Sequence, residues 1–248
     1  GLHGHGLFSP TMLDPTRVRA ISLDLDDTLW PVWPTIVRAE QALQHWLGAH
    51  APATARLLAD SAIARALRDE TERLHPELRF DLSALRRESI RRALQRAGEA
   101  PGLAEPAFEV FFEHRQRVDL YADALPSLQR LAGRYPLVSL SNGNADVSRV
   151  GIGQFFRGAI SAAAVGVGKP DPRMFEAAAR AAGVATHEVL HVGDDAALDV
   201  IGARRCGMQA VWVNRDARPW PADQAVHAPS PQAVVDNLHA LCERLGLG

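Results

Sequence analysis

The chain of 248 residues contains only two cysteines, Cys206 and Cys242, far apart and in no Cys-x-x-Cys or Cys/His pattern. That scarcity excludes a disulfide framework and reads as two reduced thiols in a cytoplasmic protein. No apolar run approaches the ~18 residues that a membrane helix needs. The opening Gly1-Leu-His-Gly-His-Gly-Leu-Phe-Ser-Pro10 has neither the cationic start nor the apolar core of a signal peptide. Neither sign of charge is in excess: the net charge is −2, with arginine dominating the cations, so no nucleic-acid footprint is present. These absences point to no nucleic-acid or membrane partner; a monomer or homodimer is the expectation. With 47% hydrophobic residues it can bury a sizeable core, as one large domain or two small ones.

What is present centres on Ala20-Ile-Ser-Leu-Asp24-Leu-Asp26-Asp27-Thr28-Leu29-Trp30. An apolar stretch rich in β-formers predicts a buried strand over 19–25, and it ends in two carboxylates spaced i, i+2. Desolvated carboxylates are costly without a compensating cation. At the carboxyl edge of an α/β sheet, such a pair is placed to hold a divalent metal.

Three further segments follow the same logic. Pro136-Leu-Val-Ser-Leu140 reads as a strand ending in Ser141-Asn142-Gly143-Asn144. Val165-Gly-Val-Gly-Lys169-Pro170-Asp171-Pro172 is a glycine-rich loop opening a helix, with Asp171 a natural N-cap and Pro172 at the first helical position. Val189-Leu-His-Val192 reads as a strand ending in Gly193-Asp194-Asp195, with Asp199 beyond. From Tyr121 onward, strands over 137–141, 158–162, 188–193 and 209–213 alternate with helices over 123–133, 145–155, 171–182 and 196–206. Alternation of this kind predicts a parallel sheet with helices on both faces. Between the first and second strands nothing reads as strand; four helices are expected, roughly 34–49, 53–74, 81–97 and 105–118, with Asp81 and Ser83 as candidate caps of the third.

Asp24-x-Asp26-x-Thr28 after a strand, followed in order by the Ser141, Lys169 and Asp194 segments, resembles the four motifs of the haloacid dehalogenase-like (HAD) superfamily. The resemblance implies an α/β fold: a Rossmann-like core with a central parallel sheet, plus an inserted all-α, four-helix cap of the C1 type. The core would take residues 18–32 and 120–248, the cap 33–119, with 1–17 an N-terminal extension. The motifs, with Gly207-Met-Gln-Ala-Val-Trp212, are most similar to a bacterial C1-capped phosphatase group acting on flavin mononucleotide and on phosphorylated ribitylaminouracil.

Within that resemblance each residue type has a chemical reason. Phosphoryl transfer to a carboxylate brings like charges together, so catalysis rests on positioning and charge neutralisation. Asp24 is the expected nucleophile, forming an aspartyl-phosphate and offering its other oxygen to Mg²⁺. Asp26 projects to the same side of the extended chain and is expected to protonate the leaving group and then activate water. The family pattern also makes the Asp26 carbonyl a metal ligand. Ser141, with the backbone N–H groups of Asn142 and Gly143 and the Asn142 side chain, would donate to phosphoryl oxygens, and Lys169 would neutralise charge. Asp194 completes the metal set; hard oxygen donors without a His/Cys cluster favour Mg²⁺ over Zn²⁺. Asp195 and Asp199 would orient metal-bound water or Lys169. His191 reads as a satisfied core histidine and Asp27 as a turn residue.

Substrate choice would come from the cap. Arg86 falls within the apolar stripe Leu82, Leu85, Ser89, Ile90, Ala93 and Leu94. A guanidinium there needs an acceptor, either a cap carboxylate or a polar group of the substrate. Trp30, Trp33 and Trp46 read as core aromatics, with Trp33 at the entrance to the cap. The expected activity is Mg²⁺-dependent hydrolysis of a small phosphomonoester. A phosphomutase, a haloacid dehalogenase and a non-catalytic binding module are the alternatives.

Overall fold

The computed structural model of the chain describes residues 12–221 and 227–248. The expectation for residues 1–11 lies outside them. The chain enters strand β1 at Ala20–Leu23, then forms α1 (Val32–His50), α2 (Pro52–Ala59), α3 (Ser61–Leu74), α4 (Leu82–Arg96) and α5 (Ala104–Arg115). It continues through α6 (Ala124–Ala132), β2 (Leu137–Ser141), α7 (Val147–Val150), β3 (Gly158–Ser161), α8 (Ala162–Val165), α9 (Pro172–Ala182) and β4 (Val189–Gly193). A π-helical turn at Ala196–Ile201 leads into α10 (Gly202–Arg205), β5 (Gln209–Val213), β6 (Ala233–Val235) and α11 (Leu238–Arg244).

The six strands are all parallel, in the order β3-β2-β1-β4-β5-β6. The expected parallel sheet is therefore present, as is the helical insertion after β1. Strands β1, β2, β4 and β5 are buried throughout, which explains their near-continuous apolar sequences. One face packs on α6 and α11 through Leu128, Leu131, Leu238 and Leu241. The other packs on α9 through Met174, Phe175, Ala178 and Ala182. Ser22 is a polar residue inside β1, and its partner comes from the register: it pairs across the ladder with His191 of β4, and Ser22 Oγ lies 2.7 Å from His191 Nδ1. Because β2 and β4 lie on opposite sides of β1, the chain reverses its direction of sheet growth there. The carboxyl end of β1 is a topological switch point, where ligands of open α/β sheets bind.

The insertion has its own apolar cluster, which includes Leu43, Leu47, Ile90, Leu94, Phe108 and Phe111. It holds five α-helices rather than four. The expected helix 53–74 is divided because Asp60 is extended and accepts hydrogen bonds from Ala62 and Ile63 N–H, starting a new helix. Expected helix 145–155 contracts to α7 and a short 3₁₀ turn, since Gly151 takes a left-handed φ of 98°. Expected helix 196–206 begins as a π turn. β6 and α11 were not expected. Asp14, within the expected N-terminal extension 1–17, is bound through its main-chain N–H and C=O to the Gln209 side chain of β5, at 2.8 and 3.0 Å.

Candidate active site

Asp24 immediately follows β1 and is buried. Its Oδ1 accepts from Lys169 Nζ at 2.9 Å. Lys169 is the only lysine in the sequence and is 5% exposed. Nζ also donates to Asp199 Oδ1 at 2.8 Å, and that oxygen accepts from His191 Nε2 at 2.8 Å. A carboxylate only accepts, so Nε2 carries the imidazole hydrogen and the ring is fixed between Asp199 and Ser22. Burial alone would discharge Lys169, but the adjacent Asp199 and Asp24 carboxylates hold its ammonium well above the usual range. Burial also works against Asp199, yet Lys169 and the His191 hydrogen bond keep its carboxyl far below the usual range.

Asp194 follows β4 and sits beside Asp24, bridged by Thr28, whose Oγ1 is 3.1 Å from both Asp24 Oδ2 and Asp194 Oδ1. Oxygens of Asp24, Asp194 and Asp199 all lie within 4.8 Å of one another. Burial and the neighbouring Asp24 carboxylate push Asp194 up to about 9, and burial raises Asp24 as well, against the pull of Lys169. Three carboxylates against one ammonium leave two negative charges uncompensated when all are ionised. Asp199 is engaged by Lys169, His191 and the Asp195 N–H, so Asp24 and Asp194 are the oxygens available to a cation. A hard oxygen donor set carrying two excess charges fits Mg²⁺.

Asp26 is held from two sides. Trp30 Nε1 donates to Oδ1 at 2.8 Å, and Arg115 Nη2, from the last residue of α5, donates to Oδ2 at 2.6 Å. Gly143 explains how the loop after β2 closes on this pair. A Cβ there would stand 2.8 Å from Asp26 Oδ2 and 3.4 Å from both Ser141 Oγ and Arg115 Nη2. Asp26, Ser141 and Arg115 therefore converge on a space that only glycine leaves open.

Two expected donors are engaged elsewhere. The Gly143 N–H donates to Ser141 Oγ at 2.9 Å, which leaves the Ser141 hydroxyl hydrogen to be directed outward. The Asn142 side chain pairs with the Lys169 main chain, Oδ1 accepting from Lys169 N at 2.7 Å and Nδ2 donating to Lys169 O at 3.1 Å. It thus fixes the lysine loop to the serine loop.

Other expectations are corrected. Asp195 is exposed, and its carboxylate caps the π turn through Ala197 and Leu198 N–H; it reaches the site only through its own N–H on Asp199. Arg86 meets the first of its two expected partners, a cap carboxylate. It donates to Glu40 Oε1 at 2.6 Å and lies over the Phe111 ring at 4.0 Å. It lines a cavity of about 170 Å³ within the helical insertion that reaches Asn144 at the core. A second cavity of about 360 Å³ shares Asn144 and Leu82 with the first and is also lined by Ser141 and Gly143. Trp33 is 74% exposed rather than core, whereas Trp30 is fully buried. Asp27 is a turn residue as expected: its φ is 64°, and its Oδ1 accepts from Val32 N, starting α1. Sequence reasoning missed Arg115, the bridging role of Thr28 and the donor role of Trp30.

Among the described residues, no helix is long and apolar enough to cross a membrane. The family model for haloacid dehalogenase-like hydrolases matches residues 18–207. The chain is 36% identical to the 5-amino-6-(5-phospho-D-ribitylamino)uracil phosphatase of Escherichia coli strain K12, over 79% of this chain and 84% of that protein. It is 42% identical to the phosphoserine phosphatase of Thermus thermophilus, over 52% of this chain and 55% of that protein. The crystal structure of a 2-haloacid dehalogenase from Pseudomonas syringae pv. Tomato DC3000 superposes with a TM-score of 0.83 at 36% identity, covering 92% of this chain and 98% of that one. With the four motifs gathered at one sheet edge, the chain belongs to the haloacid dehalogenase-like hydrolases and is an enzyme of that family.

Proposed function

We propose that this hydrolase is a Mg²⁺-dependent phosphatase of small phosphomonoesters, working through an aspartyl-phosphate on Asp24. The observation that carries the reading is the buried cluster of Asp24, Asp194 and Asp199 beside the single ammonium of Lys169 at the switch point of the sheet, a set that carries two excess negative charges only when all three carboxylates are ionised, the state a bound cation would favour. Mg²⁺, held by Asp24, Asp194 and the Asp26 carbonyl, would neutralise charge on the nucleophile and the phosphoryl oxygens. Lys169 holds Asp24 Oδ1 in place, leaving the carboxylate aimed at phosphorus. Ser141, the Asn142 N–H and Lys169 bind the phosphoryl oxygens. Asp26 protonates the departing alkoxide, then deprotonates the water that cleaves the acyl-phosphate. Asp199 orients Lys169, and Asp195 supports Asp199 through its main chain.

In this reading residues 18–32 and 120–248 form the catalytic core and residues 33–119 the cap. The two cavities that share Asn144, one lined by Ser141 and the other by Arg86, would take a leaving group extending from Ser141 towards Arg86. The E. coli relative supports phosphorylated ribitylaminouracil as the substrate, with flavin mononucleotide as a second candidate of similar shape. The dehalogenase neighbour supplies a second reading, hydrolysis of a 2-haloacid. The acid/base carboxylate of Asp26 disfavours it, since a departing halide needs no proton.

The test is a substrate panel of sugar phosphates, phosphoserine, flavin mononucleotide, phosphorylated ribitylaminouracil and 2-chloropropionate, with Mg²⁺ and with chelator. Phosphate release that stops on chelation and returns with Mg²⁺ is expected. Chloride release that ignores chelation would overturn the reading.

A further inference from the structure

We propose that Arg115 is the positioning residue for the acid/base carboxylate, aiming Asp26 at the leaving group from the end of α5. The inference rests on the acid/base reading of Asp26. The Arg115 side chain is only 2% exposed. Its Nη2 holds Asp26 Oδ2, and its Nε donates to Asn144 Oδ1 at 2.9 Å, so the guanidinium plane is fixed at two edges. The neighbouring Gln116 fixes the same helix end to the same loop, Nε2 donating to Asn144 O at 3.2 Å and Oε1 accepting from Asp146 N at 2.7 Å. Asn144 in turn donates to Ser83 Oγ in the first turn of α4. Trp30 occupies the other Asp26 oxygen. A carboxylate gripped by two donors from separate, anchored elements has its side-chain torsions determined, and proton transfer depends steeply on that aim.

This geometry makes a leaving-group prediction. An alkyl phosphate needs a proton on its departing oxygen, whereas p-nitrophenolate leaves readily without one. Misdirecting Asp26 must therefore slow the first chemical step for alkyl esters selectively. A loss of folded enzyme lowers both classes equally and leaves their ratio unchanged.

The experiment measures kcat/KM for glycerol 2-phosphate and p-nitrophenyl phosphate, with saturating Mg²⁺, in the full chain and in Arg115→Met, Arg115→Lys and Asp26→Asn. Melting temperatures are recorded in parallel. The proposal expects Arg115→Met to lower the alkyl-to-aryl ratio by about tenfold or more, Asp26→Asn to lower it by about a hundredfold, and Arg115→Lys to restore part of it. If Asp26→Asn shifts the ratio and Arg115→Met does not, the proposal fails while the acid/base reading stands. If neither shifts it, both fail. Arg115 Nη1 has no partner among the described residues, so direct contact with the phosphoryl group is the rival role. An equal loss for both esters with a raised KM would assign that role and overturn positioning. Should Arg115→Met not fold, Asn144→Ala removes the Nε anchor and carries the same ratio test.

Discussion

Gly193→Ala should damage stability and catalysis together, although glycine contributes no chemistry. A methyl at Gly193 would lie 2.2 Å from Asp199 Cγ and 2.4 Å from its Oδ2, far inside van der Waals contact. Asp199 cannot step aside, because it is 1% exposed and bound to Lys169, His191 and the Asp195 N–H. Displacing it breaks hydrogen bonds to a charged group, about 1.5–3 kcal/mol each. It also leaves Lys169 with Asp24 alone, so the total should approach the roughly 3–5 kcal/mol of a broken buried ion pair. In a chain of this size that corresponds to a fall in Tm of roughly 6–20 °C. Misplacing Lys169 should also lower kcat/KM by about a hundredfold. Thermal unfolding monitored by circular dichroism and a Mg²⁺-supplemented phosphatase assay read the two effects. In the double variant with Asp199→Gly the losses should be strongly non-additive, since the clash is gone. A Gly193→Ala enzyme within about 2 °C and about twofold of the parent would refute the reasoning.

Three other outcomes follow from named contacts. Thr28→Val removes the hydroxyl shared by Asp24 and Asp194 and should weaken apparent Mg²⁺ affinity about tenfold in a metal titration of activity, with little change in Tm. Burial opposes ionisation of Asp123, but the Arg215 fork and the Leu238 N–H hold its carboxyl below the usual range. A folded value below the unfolded one, about 3.9, stabilises the protein above that pH and is lost as pH falls past it. The Tm advantage of the parent over Asp123→Asn should therefore be full at pH 7 and shrink from about pH 5 downward; an advantage that grows on acidification would contradict the sign. Arg86→Ala should change relative kcat/KM among substrates while leaving p-nitrophenyl phosphate within about tenfold. A uniform loss with a lower Tm would assign Arg86 to Glu40 and Phe111 alone.

The parallel sheet was legible because buried parallel strands are continuous apolar runs, and because each chemical segment follows one at its carboxyl end. The helix boundaries were less so. Asp60 breaks a helix that periodicity runs together, and Gly151 shortens another by a left-handed φ that a hydrophobic pattern does not register. β6 was hidden in three residues, although Asn237, which accepts from Ala240 N–H as an N-cap, and the apolar Leu238, Leu241 and Cys242 offered a helix signal.

In the site, Asp24, Lys169, Asp194 and Asp199 come together as their order along the chain implies. A plain count would have strengthened Lys169, the single lysine among many arginines. Arg115 was not legible: its partner lies 89 residues away, and α5 carries nothing to distinguish that arginine from its neighbours. Asn142 and Gly143 show a second limit. Their groups suit phosphate by type, but the fold engages the Asn142 side chain and the Gly143 N–H in holding the loops together.

The central claim is that Asp24 becomes covalently phosphorylated. Borohydride trapping during turnover of p-nitrophenyl phosphate with Mg²⁺, followed by peptide mass spectrometry, tests it directly. Reduction of the acyl-phosphate should convert residue 24 alone to homoserine, with no conversion when Mg²⁺ is chelated and neither conversion nor turnover in Asp24→Asn. Undiminished phosphate release by Asp24→Asn, or homoserine at another aspartate, would contradict it.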